Sequence, residues 1–200
     1  NEVTQNLAIF GHGFFADRSR ETGIGPITYR SLSWGAALAD FDDDGDLDLV
    51  IANGHIYPQI DAHPEIVGHY RQRNSLLENR SARGDAPPGT PPETLFRDVT
   101  DRAGPGFQLA RAHRGLAVGD YDNDGRPDIL VTALDEPPAL LHNEGPAGSW
   151  MTVVCEVPGG TAIPIGTRVT VTVGGRTLSR DIAAGDSYVS THDPSLHFGM

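Results

Sequence analysis

Two nine-residue stretches constrain this chain more than anything else in it. Asp40-Phe41-Asp42-Asp43-Asp44-Gly45-Asp46-Leu47-Asp48 and Asp120-Tyr121-Asp122-Asn123-Asp124-Gly125-Arg126-Pro127-Asp128 both read D-x-D-x-D-G-x-x-D. Carboxylates at this density repel one another unless a cation gathers them, and Ca²⁺ takes several oxygen ligands in just such a flexible loop. Alternate residues of a tight loop turn toward one centre. That gives side-chain ligands Asp40, Asp42 and Asp44 in the first loop and Asp120, Asp122 and Asp124 in the second. Gly45 and Gly125 follow where the chain must turn sharply. The backbone carbonyls of Asp46 and Arg126 then point inward, and Asp48 and Asp128 close the two shells. An all-oxygen donor set suits Ca²⁺ rather than zinc or copper, and Mg²⁺ asks for stricter octahedral geometry. The expected cofactor is Ca²⁺ at two sites. The plainer alternative is an acidic turn with no ion, since Asp and Gly are ordinary turn residues; it accounts for one copy more easily than for two. The ligand register predicts that Asp44→Ala harms the first loop far more than Asp43→Ala, because Asp43 falls between ligand positions.

Neither loop is an EF-hand, which needs a bidentate Glu at its twelfth position; Ile51 and Val131 stand there. Residues 49–52 and 129–133 are apolar and partly β-branched, and read as buried strands. Residues 35–39 and 115–119 are small and apolar, and supply the strand before each loop. The loops belong to a larger repeat. Phe15-Ala16-Asp17 answers to Phe96-Arg97-Asp98, Thr22-Gly23 to Ala103-Gly104, and Leu76-Leu77-Glu78-Asn79 to Leu140-Leu141-His142-Asn143. The unit opens on F-x-D and closes on L-L-x-N. The first copy carries an insertion over residues 54–74, and residues 6–14 read as the tail of an earlier unit.

These units resemble FG-GAP/VCBS repeats, the calcium-loop blades of integrin-α-type β-propellers, over residues 1–146. The tail, residues 147–200, resembles an ASPIC/UnbV module, the module that follows such repeats in the cartilage-acidic-protein-like group. Its marks are Trp150-Met151-Thr152-Val153-Val154, Gly166-Thr167-Arg168-Val169-Thr170-Val171, Gly185-Asp186-Ser187-Tyr188-Val189-Ser190 and the closing Leu196-His197-Phe198-Gly199. The resemblance implies an all-β fold, a partial β-propeller with a small C-terminal β module, and the same ten ligand positions. Propellers need at least four blades, so two units make an incomplete one; an open pair whose edge a partner covers is the alternative. The W-P-x-G strand expected after L-H-F-G is absent, so the module reads as truncated. Without any family, residues 168–173 still alternate with period two, Gly174-Gly175 reads as a hairpin turn, and residues 176–182 return.

The formal net charge is −12, and the acidity concentrates in the two loops. That argues against nucleic acid. The basic residues are all Arg. Cys155, the one cysteine, lies in an expected strand and cannot form an intrachain disulfide. Calcium loops of ordinary affinity fill outside the cytosol, which predicts a periplasmic or extracellular protein. No apolar run is long enough to cross a membrane. Catalysis is not expected: there is no G-x-S-x-G, no phosphate loop, and no base beside Cys155. The expected role is a calcium-binding, non-catalytic interaction or scaffold module. Its expected partners are proteins of the envelope or of a membrane-associated assembly. The alternative is a carbohydrate-binding or polysaccharide-processing protein, motivated by Trp34, Trp150 and the insertion's histidines. His55, His63 and His69 match no zinc spacing and read as solvated. Trp34 and Tyr121 read as packing between blades. Arg83-Gly84-Asp85 reads as a chance tripeptide in an exposed, mobile Pro/Gly-rich stretch, and Asn79 as the repeat-end Asn rather than a glycan acceptor.

Overall fold

A computed structural model describes residues 16–81, 95–146, 148–160 and 162–200. Residues 6–14, Phe15, Arg83-Gly84-Asp85 and most of the stretch around that tripeptide lie outside the described residues. Nearly all regular structure is antiparallel β. The first sheet is ordered β1 (Ser33–Ala39), β2 (Asp48–Asn53), β4 (Ser75–Asn79), β5 (Phe96–Asp98); the second is β7 (His113–Gly119), β8 (Asp128–Ala133), β9 (Glu136–Leu141). Each D-x-D-x-D-G loop joins the first two strands of its sheet, as the flanking apolar runs predict.

The two sheets share one register. In the first, Ser33 faces Asn53, Ala36 faces Ile51, Ala37 faces Val50, Leu38 faces Leu49 and Ala39 faces Asp48, with a bulge between Ser33 and Ala36. Adding 80 to every number gives the second: His113 with Ala133, Leu116 with Val131, Ala117 with Leu130, Val118 with Ile129 and Gly119 with Asp128, bulge included. The sequence repeat is therefore a structural repeat. F-x-D sits differently from the reading above. Phe96–Asp98 does not open the second unit but forms the outermost strand of the first sheet, pairing with β4. A strand's sheet partner is a long-range fact, and the linear repeat runs one strand out of phase with it.

The insertion carries a 3-10 turn (Pro58–Ala62) and β3 (Gln72–Arg73), which pairs with β6 (Ala110–Arg111) and so ties the two units. Gly54 sits where the insertion leaves the sheet: a Cβ there would lie 2.5 Å from the backbone N of His113, so the second unit's first strand packs directly on it. Ala37, Val50, Ala52, Phe107, Leu116, Ile129 and Val131 form one core between the sheets.

A second, smaller core of Leu178, Ile182, Leu196 and Phe198 belongs to the C-terminal segment. It is built from two hairpin-like pairs, β10 (Trp150–Val153) with β13 (Leu196–Gly199), and β11 (Arg168–Val173) with β12 (Arg176–Asp181). Gly174 and Gly175 both have positive φ, as the tight turn between β11 and β12 demands. Cys155 lies two residues beyond the end of β10, half-buried against this core rather than in a strand.

The inner strands β1 and β7 lie side by side, and the segment around residues 187–193 runs along their free edges. Ala36 N donates to Ser187 Oγ at 3.1 Å, Ser190 Oγ donates to Leu116 O at 2.7 Å, and Asp193 N donates to Val118 O at 2.9 Å. These inner edges are met by the chain's own tail. Unpaired strand edges are thereby partly satisfied.

Candidate metal centre and the module over it

Each loop is held open by its own carboxylates. Asp40 Oδ1 accepts from Asp44 N at 3.1 Å, and Asp40 Oδ2 accepts from Gly45 N at 2.9 Å. Asp44 Oδ1 accepts from Asp46 N at 2.9 Å. Asp48 accepts from Phe41 N at 3.3 Å and from Asn79 N at 2.7 Å. The second loop repeats every one of these bonds within 0.1 Å: Asp120 to Asp124 N (3.1 Å) and Gly125 N (2.8 Å), Asp124 to Arg126 N (2.9 Å), Asp128 to Tyr121 N (3.2 Å) and Asn143 N (2.7 Å). Gly45 and Gly125 share φ of 88°, and Asp43 and Asn123, which are not glycine, have φ of 57° and 59°. The repeat-end Asn thus has a local purpose: its amide N–H fixes the last carboxylate of the loop. In Asn79 the side chain also donates to Leu47 O at 3.0 Å.

These bonds turn the remaining oxygens inward. Asp40, Asp42 and Asp44 bring carboxylate oxygens within 4.8 Å of one another, and Asp120, Asp122 and Asp128 do the same. Both sets are all oxygen and fit a hard divalent cation. The two sets differ in detail. Asp48 stays outside the first triad, whereas Asp124 leaves the second to group with Asp122 and His142. Asp46 turns its side chain away, to Ser81 Oγ at 2.8 Å and to Arg176 at 3.2 Å. Arg126 likewise points outward, donating to Asn143 O at 2.7 Å and to the Asp124 carboxylate. Only the main chain of Asp46 and of Arg126 is therefore available to a bound ion. Burial pushes the Asp40 carboxyl up to about 6 and the Asp48 carboxyl up to about 7, against the amide hydrogen bonds that favour ionisation.

The C-terminal segment packs onto the first loop, which the sequence reading missed. Asp43 is buried, 6% exposed. His197 Nε2 lies 2.8 Å from its Oδ1, and Gly148 N donates to its Oδ2 at 2.9 Å. Gly199 N donates to Asp40 Oδ2 at 3.0 Å. A Cβ on Gly199 would sit 2.4 Å from both Asp40 Oδ2 and Asp43 Cα, so only glycine fits. From β12, Arg176 donates to Asp44 O at 2.7 Å and Arg180 to Gly45 O at 3.1 Å. Burial lowers the Arg180 pKa, opposed by the charges of Asp40 and Asp46. The L-H-F-G end is thus a docking strip: Leu196 and Phe198 point into the module's core, while His197 and Gly199 face the loop. One signal was legible. Loop one has Asp where loop two has Asn123, which is exposed. Over the second loop lies Trp150, whose indole fills the space a Cβ on Gly125 would need.

The other flagged residues separate cleanly. Trp34 is packed, with Nε1 donating to Gly54 O at 2.7 Å, Arg114 stacked 4.4 Å above the ring and Tyr188 edge-on at 4.9 Å. Tyr121 is not core: it is 56% exposed and meets only the edge of His142 among ring contacts. Its counterpart Phe41 is partly buried and packs on the core. His55, His63 and His69 do not converge. His63 pairs with Glu65 at 2.9 Å, His69 faces Asp61 at 3.4 Å, and His55 accepts from Tyr57 N at 3.1 Å. Between the inner strands and the module lies an open cavity of about 600 Å³, with Leu38, Val118, Arg180 and His192 on its walls.

Fold and loops together define a tandem of β-propeller-type repeat units carrying acidic turn loops, followed by a small β module. Residues 114–149 match the FG-GAP repeat family, and residues 159–200 match the ASPIC and UnbV family. These matches agree with the FG-GAP/VCBS and ASPIC/UnbV family read from the sequence. The first unit shares the strand register of the matched one. The chain is 25% identical over 231 residues to cartilage acidic protein 1 of Mus musculus and 23% identical over 227 residues to that of Xenopus tropicalis. Each alignment takes in 95% of this chain and 35% of the relative, so the chain spans about a third of the length of these curated relatives.

Proposed function

We propose that this chain is a calcium-stabilised, non-catalytic interaction module that works outside the cytosol, in the periplasm or beyond the cell. The supporting observation is the duplication, 80 residues apart, of the same loop hydrogen bonds around two oxygen clusters. Asp40, Asp42 and Asp44, with the Asp46 carbonyl and Asp48, would hold one Ca²⁺. Asp120, Asp122 and Asp128, with Asp124 and the Arg126 carbonyl, would hold the other. The ion's part is to neutralise carboxylates that burial otherwise penalises, which fixes the loops and with them the strands they join. The loop carboxylates are occupied by backbone amides and arginines, which favours a structural over a catalytic use. The relatives' name, cartilage acidic protein, and the FG-GAP match support an extracellular protein-binding role. No helix among the described residues is long and apolar enough to cross a membrane. Urea unfolding with saturating Ca²⁺ and with chelator tests the reading. At about 100 times the Kd each filled site adds about 2.7 kcal/mol, and coincident curves would reject calcium stabilisation.

A carbohydrate ligand is the second reading, favoured by the exposed Tyr121 beside the second loop. Aromatic faces of this kind stack on sugars, and a glycan array blank in the presence of Ca²⁺ removes it.

A further inference from the structure

The two loops differ in charge at two positions. Asp43 and Asp46 of the first stand where the second has Asn123 and Arg126, so the first loop holds six carboxylates and the second four, with an arginine among them. Neither Asp43 nor Asp46 joins the oxygen triad of Asp40, Asp42 and Asp44. The C-terminal module takes both side chains instead: Asp43 through His197 and Gly148, and Asp46 through Arg176 Nη2 at 3.2 Å. The first loop is thus acidic on two faces, one toward the ion and one toward the module. In the second loop Asn123 is exposed, and Arg126 answers the Asp124 carboxylate from within the loop.

The contact between module and first loop has one polarity. Gly148 N, Gly199 N, His197 Nε2, Arg176 and Arg180 all donate, and the loop's carboxylates and its carbonyls at Asp44 and Gly45 accept. The module therefore presents an electropositive face. Arg180 reaches furthest in: its Nη2 lies 3.9 Å from Asp40 Oδ2, the oxygen that Gly199 N also holds. Asp40 belongs to the triad as well. A guanidinium thus stands beside the carboxylate that a dication in the loop would neutralise. Like charges held this close in part-buried surroundings repel strongly. An ion drawing on Asp40 also weakens it as an acceptor for the module's donors.

We propose that the docked C-terminal module and a divalent cation at the first loop oppose each other: the module lowers that loop's affinity for Ca²⁺, and Ca²⁺ filling the loop loosens the module. This rests on the calcium reading above and adds the regulation of one of its two sites. Coupling of this kind is reciprocal. The ion still steadies the strands that the loop joins; what it weakens is the contact between loop and module. A fall in calcium closes the module on the first loop, and a rise releases it.

Calorimetric titration of the full chain with Ca²⁺ reads one side of the coupling. The unaltered chain binds at two sites. Arg176→Gln, which removes a charge and keeps a donor, should tighten one of them about tenfold, inside the usual range of about 5- to 150-fold for coupled sites. Arg168→Gln removes the same charge at the far end of the β11–β12 hairpin, beside Asp181, and should leave both sites unchanged. Amide exchange followed by NMR reads the other side on the unaltered chain, so a folding defect in a variant leaves the test intact. Ca²⁺ should speed exchange at the Gly148 and Gly199 N–H groups and leave the β11–β12 amides as they were. Calcium affinity that does not rise in Arg176→Gln, an equal rise in Arg168→Gln, or Gly148 and Gly199 exchange that Ca²⁺ slows or leaves unchanged overturns the proposal while the calcium reading stands. A chain that binds no Ca²⁺ at either loop removes both.

Discussion

Asp43→Ala should destabilise the chain by about 3 kcal/mol and release the C-terminal module from the first loop. Two partners lose their acceptor in a part-buried contact: His197 Nε2 at 2.8 Å and Gly148 N at 2.9 Å. Each buried group left unsatisfied costs about 1–3 kcal/mol. Alanine is also less tolerant than aspartate of the left-handed backbone at φ 57°. Asn123→Ala makes the same backbone demand at φ 59° but removes an exposed side chain, and should cost below about 1 kcal/mol. The pair isolates docking from turn strain. Asp43→Gly sharpens it, because glycine relieves the turn and loses only the hydrogen bonds. Because the module has its own core of Leu178, Ile182, Leu196 and Phe198, thermal unfolding followed by tryptophan fluorescence should gain an early phase. With chelator present, Asp43→Ala should exceed Asp44→Ala, the reverse of the order the ligand register alone predicts. Equal melting of Asp43→Ala and Asn123→Ala would remove the docking role.

That reversal shows where the sequence was readable. The loops, the strands beside them and the Gly174-Gly175 hairpin follow from local chemistry: Asp oxygens capping nearby N–H groups, glycines at positive φ, and period-two alternation. So does the shared register, since identical loops force identical pairings on strands that enter and leave them. What local chemistry does not fix is which strand lies beside which. Phe96–Asp98 is conspicuous as a repeat mark, yet its place on β4 depends on a contact across the stretch of residues 80–95. Asp43 looks idle in a loop where alternate residues carry the ligands. Its use lies 154 positions away in His197. Likewise L-H-F-G is recognisable as a motif, but the absence of a Cβ at Gly199 acquires meaning only against Asp40 and Asp43.

The second large effect is a pH dependence that calcium should reverse. Burial pushes Asp40 up to about 6 and Asp48 up to about 7. In the unfolded chain such carboxyls ionise near 3.9. From about pH 4 to about pH 7 the folded chain therefore keeps protons that the unfolded chain has lost, and folding stability falls as pH rises through that window. Each unit of displacement corresponds to about 1.4 kcal/mol, so the loss is on the order of 3 kcal/mol or more for the metal-free chain, complete by about pH 7. A cation held by the same loop favours the ionised carboxylates, so its binding releases protons and strengthens as pH rises. Urea midpoints at about pH 5 and about pH 8, with chelator and with Ca²⁺, read both effects. With chelator the midpoint should be lower at the higher pH; with Ca²⁺ the gap between the two conditions should widen there. A chelated chain more stable at the higher pH would mean that burial does not penalise these carboxylates. A calcium effect of equal size at both values would mean that the ion is held away from Asp40 and Asp48. The widening gap would instead tie the ion to the carboxylate that Gly199 also contacts. Calcium at the first loop and docking of the module would then draw on one side chain, Asp40.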